Sequence, residues 1–310
     1  MSSLKDVGER QLIKNIRSVI RKDGTEGTED DAAVMNDGTV VCSDIVTFER
    51  HMPKGMTYEQ FGWTAAAVNF SDLAAMGARP TGLITSLALP NDMEERDLYD
   101  IVSGLDQCAE FCDTFIIGGD TKPGPGVISC TALGTMDDRA PMMRSGAKIG
   151  DIIAVTGSLG GPAAGFHAIE NDIKADDAVF SLMVPAPLVE EGIALSSTGK
   201  VTSCIDLSDG LATALNTVCS QSGCGANIIW QFLPEGPCVS MICEELGLSK
   251  EDIMLSWGGE YELMFTFAKE DLEAIQASGV EFSMIGQITD EDGVYLIRDD
   301  VRRKLENGLY

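Results

Sequence analysis

The chain has 310 residues, 44% hydrophobic and 23% charged, with a net charge of −27. That length supports two ordinary domains with real cores; no segment reaches the roughly 18 consecutive apolar residues of a membrane span, and so acidic a surface repels nucleic acid. Nine cysteines without a C-x-x-C pair, and only two histidines, His51 and His167, exclude zinc-site spacing and predict buried free thiols in a reducing cytoplasm.

Leu4, Val7, Leu12, Ile13, Ile16, Val19 and Ile20 recur at helical spacing and predict an amphipathic helix over residues 4–22. This opening segment lacks the unbroken apolar stretch and cleavage site of a signal peptide. The acidic, turn-rich KDGTEGTEDDAAVM leads into a strand, GTVVCSDIVTF. Residues 57–67 read as a helix. In NFSDLAAMGARP a second, short helix over DLAAMGA is expected, capped by Ser71 or Asp72 and stopped by Gly77. The strand GLITSLALP follows, then a helix over 93–112 with Leu98, Ile101, Val102, Leu105, Cys108 and Ala109 on one face. TFIIGGD reads as a short buried strand running into a Gly-Gly-Asp turn, and GVISCTALGTM as another strand.

The charged stretch DDRAPMMRSGAKIGD, with a proline and two glycines, interrupts the periodicity and predicts a boundary between domains at 1–138 and 139–310. Beyond it come the strand DIIAVTG, the small-residue loop SLGGPAAG, a helical region, LVEEGIALSSTG, and a helix in SDGLATALNTVCSQSG. Strands GANIIW, ELMFTF, FSMIGQI and GVYLI finish the chain. Strands and helices mix without strict β-α-β alternation, which favours two α+β halves over a doubly wound sheet.

The phosphate-binding loop G-x-x-x-x-G-K-[ST], the dinucleotide fingerprint G-x-G-x-x-G and the nucleophile elbow G-x-S-x-G are all absent. Acidic residues recur instead at strand ends and turns, near glycine, serine or alanine: Asp30-Asp31, Asp44, Asp72, Asp120, Asp206 and Asp209. For any single Ser-Asp pair, helix capping is the simpler reading. Asp120 after two glycines fits a plain turn, and Asp30-Asp31 fits a solvated charge run. Gathered in one cleft, however, these carboxylates repel unless cations lie between them. Hard oxygen ligands suit Mg²⁺, which works with a few carboxylates and substrate phosphates. Capping and cation binding are compatible.

The motifs Gly8-Glu9, EDDAAV, SDIV followed by His51, AVNFSDLAAMGARP, GGDT, RSGAKIGD, IDLSDGL and GGEYELMFT stand in the order seen in thiamine-monophosphate kinases. The chain resembles that family, within the superfamily of aminoimidazole ribonucleotide synthetase, over nearly its whole length. The resemblance implies an α+β, two-domain aminoimidazole ribonucleotide synthetase-like fold. An N-terminal α/β half would form a barrel across a homodimer, and a C-terminal α+β half would follow. It implies ATP and several Mg²⁺ ions in the cleft. Asp31, Cys42, Ser43, Asp44, Asp72, Asp120, Asp206 and Asp209 match the metal positions. Gly119, Asp120, Arg144 and Ser208 match ATP-contacting positions. His51 and Glu260 match positions near the thiamine phosphate, with Tyr310 offered for the family's C-terminal aromatic. The chain reads W-G-G-E-Y-E-L where the family reads G-G-E-D-Y-E-L, and Cys42 stands where the family has a hydroxyl residue.

The implied reaction moves a phosphoryl group from ATP to thiamine monophosphate, giving thiamine diphosphate. The acceptor oxygen is already anionic at neutral pH, so no general base is required and the transfer rests on Mg²⁺ with Asp72 and Asp209. Two alternatives stay open: another ATP-using enzyme of the superfamily, and a catalytically silent nucleotide-binding module. Selenophosphate synthetases carry a reactive cysteine in a Gly-rich N-terminal segment, and the hydrogenase-maturation relatives end in cysteine; this chain has neither feature.

Overall fold

The computed structural model describes residues 9–19 and 30–308. Helix α1 covers Glu9–Val19. The first half continues with β1 (Ala33–Val34), β2 (Thr39–Thr47), α2 (Phe48–His51), α3 (Tyr58–Met76), β3 (Arg79–Leu89), α4 (Glu95–Phe111), β4 (Ile116–Pro123) and β5 (Val127–Thr135). The second half begins with β6 (Ile152–Thr156), α5 (Gly161–Glu170), α6 (Asp176–Met183), α7 (Val189–Thr198), β7 (Val201–Asp206) and α8 (Leu211–Ser222). It ends with β8 (Gly225–Ile229), α9 (Val239–Leu246), α10 (Lys250–Leu255), β9 (Leu263–Phe267), α11 (Leu272–Gln276), β10 (Phe282–Thr289), β11 (Gly293–Arg298) and β12 (Val301–Lys304). No helix among the described residues is long and apolar enough to cross a membrane.

The strands form two sheets, ordered β1-β2-β5-β3-β4 and β12-β11-β8-β10-β6-β9-β7. In the first, period-two alternation separates an inner from an outer face. Ile128, Cys130 and Ala132 of β5 and Leu83, Leu87 and Leu89 of β3 are buried beneath α3 and α4, whereas Ile45, Ile84 and Ile117 are exposed. In the second sheet every residue of β9 is buried, because both faces are covered. Leu263, Phe265 and Phe267 join the core of the first half, and Met264 joins a second core with α5, α8 and α9.

Helix α3 lies between the sheets. The expected helices over 57–67 and 72–78 are one continuous helix of 19 residues. Thr57 is its N-cap, with Gln60 completing a capping box, and Gly77 ends it in the left-handed region at φ 71°. The Ser71-Asp72 pair therefore sits in mid-helix and caps nothing. Ser208 and Asp209 do not cap α8 either, whose N-cap is Gly210. A near-uniform run of small apolar residues explains α3: it is buried on almost all sides, so it shows no polar stripe. Small partners let other helices touch its backbone. A Cβ on Gly104 of α4 would lie 1.8 Å from the Glu59 carbonyl oxygen, and one on Gly192 of α7 would lie 2.1 Å from that of Ala74.

TFIIGGD is also corrected. β4 does not stop at a Gly-Gly-Asp turn; it runs on to Pro123 as an exposed edge strand parallel to β3. Helices α2, α10 and α11 and strand β12 carry too few residues to show a period; neither they nor α9, whose Val239, Ile242, Cys243 and Leu246 stand at helical spacing, have a counterpart in the sequence reading. All nine cysteines are free and all but Cys238 are buried, as expected.

Candidate active site

Three carboxylates meet where α3 passes between β2 and β7. One oxygen from each of Asp31, Asp72 and Asp206 lies within 4.8 Å of the others. Asp31 comes from the turn before β1, Asp72 from the C-terminal part of α3 and Asp206 from the end of β7. The Asp31 side chain is fully buried and Asp206 is 3% exposed. Asp44 and Asp209 are more open to solvent but lie within electrostatic reach, since both Asp72 and Asp209 act on the Asp44 carboxyl.

Burial and the crowding of like charges set the protonation. Burial, then the charges of Asp206, Asp44 and Asp31, hold Asp72 well above the usual carboxylate range. Burial and Asp31 push Asp206 up to about 7, against the opposing effects of Ser71 and Arg144. Asp31 is raised by burial although Arg144 opposes it. Arg144 sits in the connection between β5 and β6. Its Nε donates to Asp31 Oδ1 at 3.0 Å, its terminal nitrogen pairs with the same oxygen, and its backbone N–H donates to Asp30 Oδ1 at 2.6 Å. Among the described residues, Arg144 thus sets one internal cation against the cluster of carboxylates. Asp31 Oδ2 and Asp206 Oδ1 are buried without a hydrogen-bond partner among the described residues. Hard oxygens that converge with excess negative charge and unmatched acceptors fit a divalent cation such as Mg²⁺.

The loops beyond are pressed backbone to backbone. A Cβ on Gly258 would lie 1.9 Å from the Ser208 carbonyl oxygen, which accepts the Gly259 N–H at 2.9 Å. This seats the exposed Ser208-Asp209 corner against the segment 257–260. Glu260 Oε1 accepts the Gly160 N–H at 3.0 Å, while Oε2 is buried without a hydrogen-bond partner among the described residues. Burial raises this carboxyl from 4.5 to about 8. A folded-state value above the unfolded one means that the native state binds the proton more tightly. The associated stability is therefore full below about 4.5 and is lost as pH rises through about 8. Glu260→Gln is expected to melt with the native chain near pH 5 and on the order of several degrees higher at pH 9; superimposable melts at both pH values would exclude a buried, proton-holding Glu260.

The remaining predicted residues are placed as follows. His51 is exposed on α2, and its Nδ1 accepts the Thr47 N–H at 3.0 Å, which leaves Nε2 outward. Cys42 is buried and its thiol donates to the Asn69 carbonyl oxygen at 3.2 Å. Ser43 faces away from α3, bonded to the Cys130 carbonyl at 2.8 Å. Gly119 and Asp120 lie apart from the cluster: Asp44 is opposite Cys130, Cys130 opposite Thr85, and Thr85 opposite Gly119, so three strand spacings, roughly 14 Å, intervene. Asp120 pairs with Lys122 instead, at 3.1 Å. Tyr310 lies outside the described residues.

Three residues with no part in the sequence reading of the site also belong to this region. Asn69 Oδ1 accepts the Asp44 N–H at 3.0 Å. Ser71, read from the sequence only as a cap, donates to Asp206 Oδ2 at 2.6 Å. Tyr261 has φ 53°, and its phenol is raised by burial and then by the charges of Asp206, Asp44, Asp72 and Asp209, which puts it within electrostatic reach of the cluster.

An acidic site between two α+β halves defines a class. Family models described as AIR synthase related protein, N-terminal domain and C-terminal domain, match residues 29–136 and 148–299. The thiamine-monophosphate kinase of Methanopyrus kandleri is 32% identical over 94% of this chain and 93% of its own, and that of Escherichia coli (strain K12) is 35% identical over 94% of each. A solved structure of AaThiL complexed with AMPPCP and TMP superposes with a TM-score of 0.88 at 26% identity, covering 99% of this chain and 98% of that one. The chain belongs to the thiamine-monophosphate kinase family, on the AIR synthase-related fold.

Proposed function

We propose that this chain transfers the γ-phosphoryl group of ATP to thiamine monophosphate, yielding ADP and thiamine diphosphate, with Mg²⁺ held between its halves. The observation that carries this reading is the convergence of Asp31, Asp72 and Asp206 from three separate segments to within 4.8 Å, in a member of this family. A structural relative that holds AMPPCP and TMP together supports the same pair of substrates here.

Asp31, Asp44, Asp72, Asp206 and Asp209 would hold the ions. Sulfur is a soft ligand, and the Cys42 thiol is committed to Asn69, so any contact from position 42 would come from its backbone. Bound Mg²⁺ supplies positive charge that screens the two anionic substrates and the equatorial oxygens of the transferred group. The acceptor phosphate is already ionised, so no side chain must remove a proton. Arg144 presents a fixed charge to the ATP phosphates while its pairing with Asp31 orients both groups. Ser208, exposed at the corner before α8, would add a contact to ATP. His51 Nε2 and Glu260 are the contacts for thiamine monophosphate, with Tyr310 from the chain end.

A homodimer completes the proposal. The outer face of the first sheet, with Ile45 60% exposed, has no cover among the described residues, and β4 is an edge of that sheet. Two such sheets laid face to face enclose a barrel, and each β4 comes to the β2 edge of the other copy. Asp120 and Gly119 then approach the Ser43-Asp44 corner of the partner. In this scheme residues 1–138 bind ATP and Mg²⁺ and dimerise, and residues 139–310 complete the cleft. Nine free thiols suit a cytoplasmic enzyme.

The test is ADP release with Mg²⁺ and ATP. Thiamine monophosphate is expected to stimulate it, and aminoimidazole precursors are not. Stimulation by the latter would move the chain to another branch of the superfamily, and no stimulation by either would make it a silent module.

A further inference from the structure

We propose that Ser71 and Asn69 are positioning residues that set two of the carboxylates, Asp206 and Asp44, in register with Asp72. The inference rests on the reading of the cluster as a divalent-cation site and extends it to side chains that touch no ion.

At about 100° per residue, Asp72 projects from α3 roughly 60° from Asn69 on one side and roughly 100° from Ser71 on the other. The helix therefore points one carboxylate into the cleft and one polar side chain toward each flanking strand. Asn69 is fully buried; its Nδ2 donates to the Ala65 carbonyl at 3.0 Å, which fixes the amide, and its Oδ1 takes the Asp44 N–H of β2 at 3.0 Å. Ser71 is fully buried as well. A mid-helix serine ordinarily returns its proton to the carbonyl one turn back. Ser71 instead gives it to Asp206 Oδ2 at 2.6 Å, across to β7 of the other half of the chain.

That single bond decides which Asp206 oxygen faces the cluster. With Oδ2 occupied by Ser71, Oδ1 is the oxygen left without a hydrogen-bond partner among the described residues. The helix can act as a ruler because it cannot shift: α4 and α7 press on its backbone through Gly104 and Gly192. Supporting hydrogen bonds of this type are worth about 10- to 100-fold in metal affinity.

The test is binding of Mn²⁺, followed by electron paramagnetic resonance of the free ion, to the full chain and three variants. Ser71→Ala is expected to bind Mn²⁺ at least about ten-fold more weakly, and Asn69→Ala to weaken it in the same direction. In turnover assays the Mg²⁺ concentration for half-maximal rate should rise while kcat at saturating Mg²⁺ is largely recovered, a split that loss of fold would not produce. Should Ser71→Ala not fold, Ser71→Cys keeps the volume with only a weak S–H donor, and it too should bind Mn²⁺ more weakly than the native chain. Asp72→Asn separates the two claims. If it binds Mn²⁺ like the native chain, the cation-site reading itself fails. If it loses Mn²⁺ while the folded Ser71 variants bind with native affinity, the positioning role is overturned.

Discussion

Asp72→Asn and Asp209→Asn are expected to lose phosphoryl transfer by on the order of 10³-fold or more while remaining folded. For Asp72 the structure adds a second, opposite effect. Its carboxyl is held high by burial and by Asp206, Asp44 and Asp31, so its ionised form is unfavourable in the metal-free protein. Asparagine keeps the shape, removes the like charge and, being mid-helix, releases no cap. The metal-free variant should therefore melt above the native chain, and Mg²⁺, which should stabilise the native chain, should stabilise the variant less. Asp209 is exposed in a loop, and its replacement should leave the metal-free melt in place. Coupled ADP-release assays and thermal melts with and without Mg²⁺ read both effects. Near-native turnover of the two variants would remove the carboxylates from the chemistry. A lower metal-free melt for Asp72→Asn would show that this side chain serves the fold instead.

Part of this fold and candidate site was legible in the sequence. Strands such as β5 alternate so regularly that their inner face can be read from residues 127–135, and Gly77 announces the end of α3. The Asp set was visible because its members recur near small residues, although Asp44, Asp72 and Asp120 turn out to lie inside β2, α3 and β4 rather than at element ends. What the sequence could not display is direction. Asp44 and Ser43 are neighbours on β2, yet period two sends them to opposite faces, one toward Asp72 and one to the open face. Ser71 looks like a cap in isolation because a Ser-Asp pair before LAAMG has the right chemistry; only the continuous packing of Tyr58–Met76 shows that no helix starts there. Its partner Asp206 lies 135 residues away, and no local pattern encodes that bond. TFIIGGD misled for a related reason: an apolar run ordinarily means burial, whereas Ile117 is 45% exposed on a face that none of the described residues covers.

That uncovered face makes Asp120 the sharpest test of the assembly. Within one chain it cannot join the cluster: it pairs with Ser86 on the outer side of the sheet, while Asp44 faces α3. Asp120→Ala is nevertheless expected to abolish turnover, and, because Asp120 is exposed, to leave the melt unchanged. If the residue works in the partner's site, two inactive proteins should rescue each other. Mix Asp120→Ala with Asp72→Asn and allow subunits to exchange. Each mixed dimer then has one site with an intact Asp72 from one copy and an intact Asp120 from the other, and one site that lacks both. With random exchange, half the dimers are mixed and each has one whole site of two, so about a quarter of native activity should return. The recovery should follow subunit exchange in time and vanish when exchange is blocked by cross-linking before mixing. Activity that stays absent after demonstrated exchange would place Asp120 in its own chain's chemistry or in none. A chain that is monomeric at working concentration yet fully active would remove the barrel altogether, and with it the explanation for an aspartate stranded on an open edge.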